Sequence, residues 1–360
     1  MKIRNLFCTA AALAAFFASA LIAAEITLAQ PAADAVVTHL RPDWRQILDE
    51  RLPHDAKNNA DYLTPTGMPD PVVFAWSGAG NGPYTLEISR TRDFSDGVRT
   101  ITVNKPEAKV YNLEIAREYF WRVKSKDAVS GVRRFTTADT AGIRQIMVSP
   151  TGPANVRDWG GKHIRGGGRT KQGVAYRGTQ MQKPFALTDA AKKVMLDELK
   201  IRTDLDLRYD KQISGMDSSP LGPSVQWRHY AINAYNSFKP ENRAEQFPLW
   251  RDAVRIFADE KNLPVYFHCY GGVDRTGELA MLLDFLLDVD EEETMLDYEF
   301  STMANFNRAR TIGYLNEWIF GVASFTPDRK ASRRVQAENF LLAIGVTREE
   351  ITAIRRNLTE

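Results

Sequence analysis

The chain has 360 residues, 44% hydrophobic and 26% charged, with 47 basic residues against 45 acidic ones. That length holds one large domain or two ordinary ones, and the composition is that of a globular protein. The near balance of charge gives no global pull toward nucleic acid or a membrane surface.

Residues 1 to 30 stand apart. Lys2 and Arg4 precede an apolar stretch rich in Ala, Leu and Phe, and small-residue cleavage points follow at Ala18-Ser19-Ala20, near Ala24 and at Ala29. Charge, apolar core and cleavage site in that order predict a secretory signal peptide over residues 1–24, with cleavage as late as residue 29. Export to a periplasmic or extracellular space follows, with no membrane span left after removal. The other readings are a retained anchor and a buried helix. Cleavage near residue 24 takes the net charge from +2 to zero. Of the two cysteines, Cys8 and Cys269, only Cys269 remains, so no internal disulfide can form. A single thiol in an exported chain points to a reactive or buried residue.

Residues 25–65 carry Pro31, Pro42, Pro53 and Pro65 and read as a linker, with a short helix starting at Pro42. Residues 66–140 then alternate in the β manner. "PVVFAWSG", "GPYTLEISR", "VRTITVN", "REYFWRVKSKD" and "GVRRFTTAD" are short strands separated by turn residues. Tyr84, Leu86 and Ile88 share one face, as do Tyr119, Trp121 and Val123; with Trp76 they predict two facing sheets around an aromatic core. "FAWS", "YTLEIS" followed by "DFSDG", "YFWRVKS" and "RRFTTA" resemble a fibronectin type III or related immunoglobulin-like module. The resemblance implies a spacing or docking role, with a protein or glycan as partner, and no chemistry.

From residue 145 to 360 helical and strand patterns alternate, which predicts an α/β domain with a mostly parallel sheet. "LTDAAKKVMLDELKI" is a helix with Thr188 as N-cap and Ala191, Val194, Met195 and Leu199 on one side. "GVAYRGTQM", "RTDLDLRYD", "VQWRHYAIN" and "LPVYFHC" are strands, and "FPLWRDAVRIFADEKN" is a helix. Near the C-terminus, Thr347 with Glu350 forms a capping box. The fold expected is therefore multidomain: an all-β sandwich followed by an α/β domain.

The chemistry lies in "VYFHCYGGVDRTGEL", residues 265–279. An apolar strand ends at Cys269, a loop runs from Tyr270 to Asp274, and a helix follows with Leu279, Leu282, Leu283 and Leu286 at helical spacing. Ligands of open α/β sheets bind at this edge. The helix start offers unpaired N–H groups and a positive dipole end for a phosphate. Gly271 and Gly272 let the backbone curl into an anion nest, joined by Val273. Arg275 is spaced to hold two phosphate oxygens in a fork. The same positive field makes Cys269 a thiolate nucleophile. His268 orients the loop rather than acting as a base, and the Thr276 hydroxyl can donate to the sulfur.

The stretch "HCYGGVDRTG" resembles the active-site loop of cysteine-dependent protein tyrosine phosphatases. "NVRDWGGKHIRGGGRTKQGVAYRGTQM" and "IRTDLDLRYD" resemble the atypical bacterial tyrosine and dual-specificity branch. Arg157, Arg177 and Arg208 are candidate rim cations for an anionic substrate, with Asp158 and Asp206 beside them; the alternative for each arginine is a salt bridge.

A leaving oxygen needs a proton. No Trp-Pro-Asp sequence occurs. Asp210 and Asp217 lie in one loop without distinctive context, and "INAYNSFKPEN" is a second candidate loop. Asp274 is the sharper candidate: similar Asp-Arg-Thr loops occur in the atypical bacterial branch and in myotubularin-like lipid phosphatases, and the resemblance implies an acid carried by the loop itself. The alternative is an Asp that only shapes the loop. Several relatives carry Lys where this chain has Val273, which argues against polyphosphorylated headgroups. The five histidines, His39, His54, His163, His229 and His268, show no paired metal-ligand spacing, so neither metal nor cofactor is expected. The expected activity is hydrolysis of phosphomonoesters, on a phosphorylated protein or a small phosphate ester such as an inositol phosphate. A non-catalytic anion-binding protein is the reading from another class.

Overall fold

The computed structural model describes residues 25–41, 68–78, 82–304 and 310–360. The signal segment and the short helix expected at Pro42 lie outside the described residues.

The first eight strands are β1 (Ile26–Gln30), β2 (Ala35–Val37), β3 (Val72–Gly78), β4 (Tyr84–Ser89), β5 (Arg99–Val103), β6 (Glu107–Val110), β7 (Glu118–Lys124) and β8 (Arg133–Thr137). They form a three-stranded sheet, β1-β3-β6, and a five-stranded sheet, β2-β8-β7-β4-β5. Alternation along each strand sends one set of side chains inward. Phe74 and Trp76 of β3 therefore meet Trp121, Phe135 and Tyr84 of the other sheet. The Phe74 and Trp121 rings pack edge to face at 5.1 Å, and Trp76 and Tyr84 at 5.4 Å. The aromatic core expected from Trp76, Tyr119 and Trp121 is present. The stretch read as linker is not linker throughout. β1 pairs antiparallel with β3, and β2 runs parallel to β8. Their short alternating apolar residues were masked by the adjoining alanine-rich segment and by Pro31.

The second part contains β9 (Arg144–Gln145), β10 (Arg157–Asp158), β11 (Ala175–Gly178), α1 (Asp189–Lys193), β12 (Thr203–Asp206), β13 (Gln226–His229), α2 (Pro240–Arg255), β14 (Val265–His268), α3 (Asp274–Leu286), α4 (Glu291–Phe300), α5 (Asn316–Ala323), α6 (Arg333–Ala343) and α7 (Arg348–Leu358). The sheet order is β13-β12-β14-β11-β10-β9. The first four of these strands are mutually parallel, and β10 and β9 are antiparallel additions at one edge. Thr188 caps α1 by accepting from the Ala191 amide, and Thr347 and Glu350 close their capping box at the start of α7.

β14 lies at the centre, with every residue buried, and α3 is buried from Arg275 to Leu286. A strand covered on both faces reads as a continuous apolar run, which is why "LPVYFHC" was legible. Among the described residues no helix is long and apolar enough to cross a membrane.

The β-module rests directly on this domain. Gln172 exchanges two hydrogen bonds with the Ile115 backbone, at 2.9 and 3.0 Å, and Asn112 does the same with Met147. Arg144 donates to the carbonyls of Asn112 and Leu113 and pairs with Asp158 at 2.5 Å.

Candidate active site

The register of the sheet fixes the site. His268 at the end of β14 lies level with Gly178 of β11 and Asp206 of β12. The chain then turns through Cys269 and the loop into α3. Cys269 is thus at the carboxyl edge of the sheet, 3% exposed.

The loop is shaped from behind. Asn155 donates through its side-chain amide to the carbonyls of Gly271 at 3.3 Å and Gly272 at 3.2 Å. Arg177 donates to the same Gly272 carbonyl at 3.1 Å. In a planar trans peptide the N–H points opposite to the carbonyl. Holding these two carbonyls outward therefore turns the Gly272 and Val273 amides toward the loop's interior, and neither amide has a partner among the described residues. Two inward amides of this kind have the geometry of an anion nest. Gly272 is required twice over: its φ is +66°, and a Cβ there would collide with the Gly178 carbonyl.

The Arg177 and Arg157 side chains meet on one carboxylate. Arg157 Nε binds Asp297 Oδ1 and Arg177 Nη1 binds Asp297 Oδ2, both at 2.6 Å. Arg157 also donates to Asn155 Oδ1 at 2.6 Å, fixing the amide that holds the loop. Burial works against the Asp297 charge, but Arg157 and Arg177 outweigh it and hold the carboxyl far below the usual range. Close by, Lys162 binds Asp284 at 3.0 Å, yet burial still pushes that carboxyl up to about 7.

These contacts correct the rim assignments. Arg157 and Arg177 are fully buried, and Arg208 is 1% exposed. Arg208 spends its donors on Asp206, Gln180, Gln182 and Met216. Asp158 binds Arg144 and the amides of Gly160 and Gly173. None of the five candidate rim residues faces solvent at a substrate entrance. A sequence shows that an arginine is present but not whether a distant carboxylate has claimed it. Val273 likewise packs within the main apolar cluster, 1% exposed.

His268 binds Asp204 through Nε2 at 2.9 Å, and its Nδ1 lies 3.1 Å from the Cys269 carbonyl. Burial alone would push the imidazole down, but Asp206 and Asp204 outweigh it and raise it. For Cys269, burial alone would raise the thiol. The Arg275 guanidinium, with the Thr276 hydroxyl and amide facing the sulfur, brings it below its usual value. The Thr276 hydroxyl makes no other hydrogen bond.

Arg275 is aligned from the opposite wall. Its Nη1 donates to the Leu207 carbonyl at 3.2 Å and to Gln212 Oε1 at 2.9 Å, and its guanidinium lies 4.4 Å from the centre of the Tyr209 ring. The loop containing Asp210 and Asp217 thus delivers Tyr209 and Gln212 to the site. Asp210 is 88% exposed, and Asp217 is also exposed. Asp274 opens α3, with its side chain 28% exposed. Its Oδ1 accepts from Arg310 at 2.9 Å and from the Tyr298 hydroxyl at 3.4 Å. At the mouth Tyr270 is 39% exposed, and its ring lies edge-on to Phe185 at 6.1 Å.

Asp297, Arg310, Asn155, Asp204, Gln212, Tyr298 and Glu278 were not singled out from the sequence. Only Asn155 carried a signal, through its place at the head of the "NVRD" motif.

A depressed thiol, an arginine and inward-turned amides at a sheet's carboxyl edge describe a phosphatase of the protein tyrosine phosphatase type. The model of the tyrosine phosphatase family matches residues 148–360, and the chain belongs to that family. No curated protein matches the chain. Among solved structures, the chain is similar to the core catalytic domain of the PP-IP phosphatase SIW14 from S. cerevisiae in complex with citrate. That likeness has 16% identity and a TM-score of 0.30, and covers 48% of this chain and 93% of that one.

Proposed function

We propose that the chain hydrolyses phosphomonoesters, phosphotyrosine foremost, through a phosphocysteine intermediate. The observation that carries this reading is the loop between Cys269 and Arg275, whose carbonyls Asn155 and Arg177 hold away from the interior. The Cys269 thiolate attacks phosphorus in line while the bond to the leaving oxygen breaks. Arg275 and the loop amides stabilise the equatorial oxygens. Asp274 gives its proton to the leaving oxygen. Water then attacks the phosphocysteine, passing a proton to Asp274. The P–S bond breaks, and Arg275 and Thr276 receive the thiolate.

The exposed Tyr270 ring with Phe185 at the mouth suits an aryl phosphate. The burial of Arg157, Arg177 and Arg208 takes these three cations out of a polyphosphate's reach. A panel of phosphotyrosine peptide, phosphoserine peptide and inositol phosphates tests this. The phosphotyrosine peptide should give the highest kcat/KM, and a preference for an inositol phosphate would overturn the assignment. Cys269→Ser should abolish turnover and keep phosphate-analogue binding.

Export of the mature chain rests on Lys2, Arg4 and the apolar run behind them. N-terminal sequencing of the cell-derived protein should find a start near residue 25, and an intact Met1 in the cytoplasm would refute it.

A further inference from the structure

Two side chains beside the loop have no part in the steps above. Glu278 lies one helical turn beyond Asp274 on α3, so both carboxyls stand on one face of the helix. Glu278 is fully buried, and its Oε2 has no hydrogen-bond partner. Its Oε1 accepts the Tyr235 backbone amide at 2.6 Å. Tyr235 belongs to the "INAYNSFKPEN" loop and is held at φ +63°, in the left-handed region that disfavours a side chain. Its hydroxyl is buried without a close hydrogen bond and lies against Asp274 and Tyr298. One residue thus joins the neighbourhoods of both carboxyls, with its amide bonded to Glu278 and its phenol in the vicinity of Asp274.

We propose that Glu278 anchors the Tyr235 loop and that Tyr235, so held, is a positioning residue that orients Asp274 toward the leaving oxygen. This rests on the reading of Asp274 as the acid. Arg310 and Tyr298 hold Asp274 through a single oxygen, Oδ1. Those two contacts leave the carboxyl free to swing about that point, and a third neighbour is needed to fix its direction. Burial holds the Glu278 carboxyl well above the usual range. In its neutral form Glu278 fastens the loop without setting a second negative charge against the Cys269 thiolate.

The test compares p-nitrophenyl phosphate, whose leaving group needs no proton, with an alkyl phosphate, whose leaving group does. Tyr235→Phe should lower kcat/KM on the alkyl ester about 10-fold and leave kcat/KM on p-nitrophenyl phosphate nearly unchanged. Glu278→Leu should behave likewise. Glu278→Gln, which keeps the shape, the acceptor and the lack of charge, should restore both rates. Equal losses on both esters from Tyr235→Phe, or no loss on either, would overturn the inference. So would a Glu278→Gln variant as impaired as Glu278→Leu. If Glu278→Leu does not fold, Tyr235→Phe and Glu278→Gln decide alone. Asp274→Asn is the separate control. If it slows both esters equally, the acid reading has failed; if it discriminates while Tyr235→Phe does not, only the positioning role has failed.

Discussion

Arg177 reaches from the end of β11 to the back of the loop and holds the Gly272 carbonyl at 3.1 Å. A residue that could have been read as a surface cation is instead part of the wall that turns backbone amides toward the loop's interior. The distinction matters for mechanism. A rim arginine would act on the substrate's charge, whereas this one acts on the loop's geometry.

Asn155 shares that task, and its contribution can be isolated. Asn155→Asp replaces a donor with an acceptor facing two carbonyls. A buried hydrogen bond lost with its partner left unpaired costs about 1–3 kcal/mol. Inhibition by vanadate should therefore weaken about 5- to 150-fold, while the α/β domain stays folded by circular dichroism. Unchanged vanadate affinity would show that the loop holds its shape without Asn155.

Asp297 is the common partner of Arg157 and Arg177. Asp297→Asn leaves two buried guanidiniums without a compensating charge. Removing one partner of a buried pair costs about 3–5 kcal/mol, so denaturant unfolding should show a loss of that size. A loss below about 1 kcal/mol would mean that the arginines find another partner.

Thiol reactivity reports on Arg275. Its charge is the main influence holding Cys269 below the usual thiol value against burial. Alkylation of Cys269 by iodoacetamide, followed against pH, should have a midpoint below that of free cysteine. Arg275→Ala should move this midpoint upward. An unmoved midpoint would place the thiolate's stabilisation elsewhere in the loop.

The His268 cluster sets a pH dependence of stability. Its imidazole is raised in the folded state by Asp206 and Asp204. The stabilisation is fully present below the unfolded histidine value of about 6.5. It is lost as pH rises from there through the raised folded value. Asp204→Asn removes the partner at 2.9 Å and should flatten that slope in urea melts between neutral and alkaline pH. An identical slope in the variant would show that Asp204 does not supply it.

Much of this was legible in the sequence, and the limits were physical. β14 and α3 were readable because a buried strand is uniformly apolar and a buried helix repeats its leucines. Cys269, Gly272 and Arg275 were readable because the loop's needs are local: a strand end, a left-handed turn and a fork one helical turn away. What failed involved partners far along the chain. Asp297 lies 140 residues from Arg157, with nothing nearby to mark it. Tyr235 and Glu278 are 43 residues apart and meet only because the fold lays one loop across α3. β1 was missed because the alanine-rich run before it blurs its alternation.

The central claim is that Cys269 carries the phosphoryl group. Acid quenching of the enzyme during turnover of an aryl phosphate, followed by peptide mass spectrometry, tests it directly. The peptide containing Cys269 should gain the mass of one phosphoryl group, and Cys269→Ser should show neither that adduct nor turnover. A phosphoryl group on another residue, or turnover surviving in Cys269→Ser, would contradict the account.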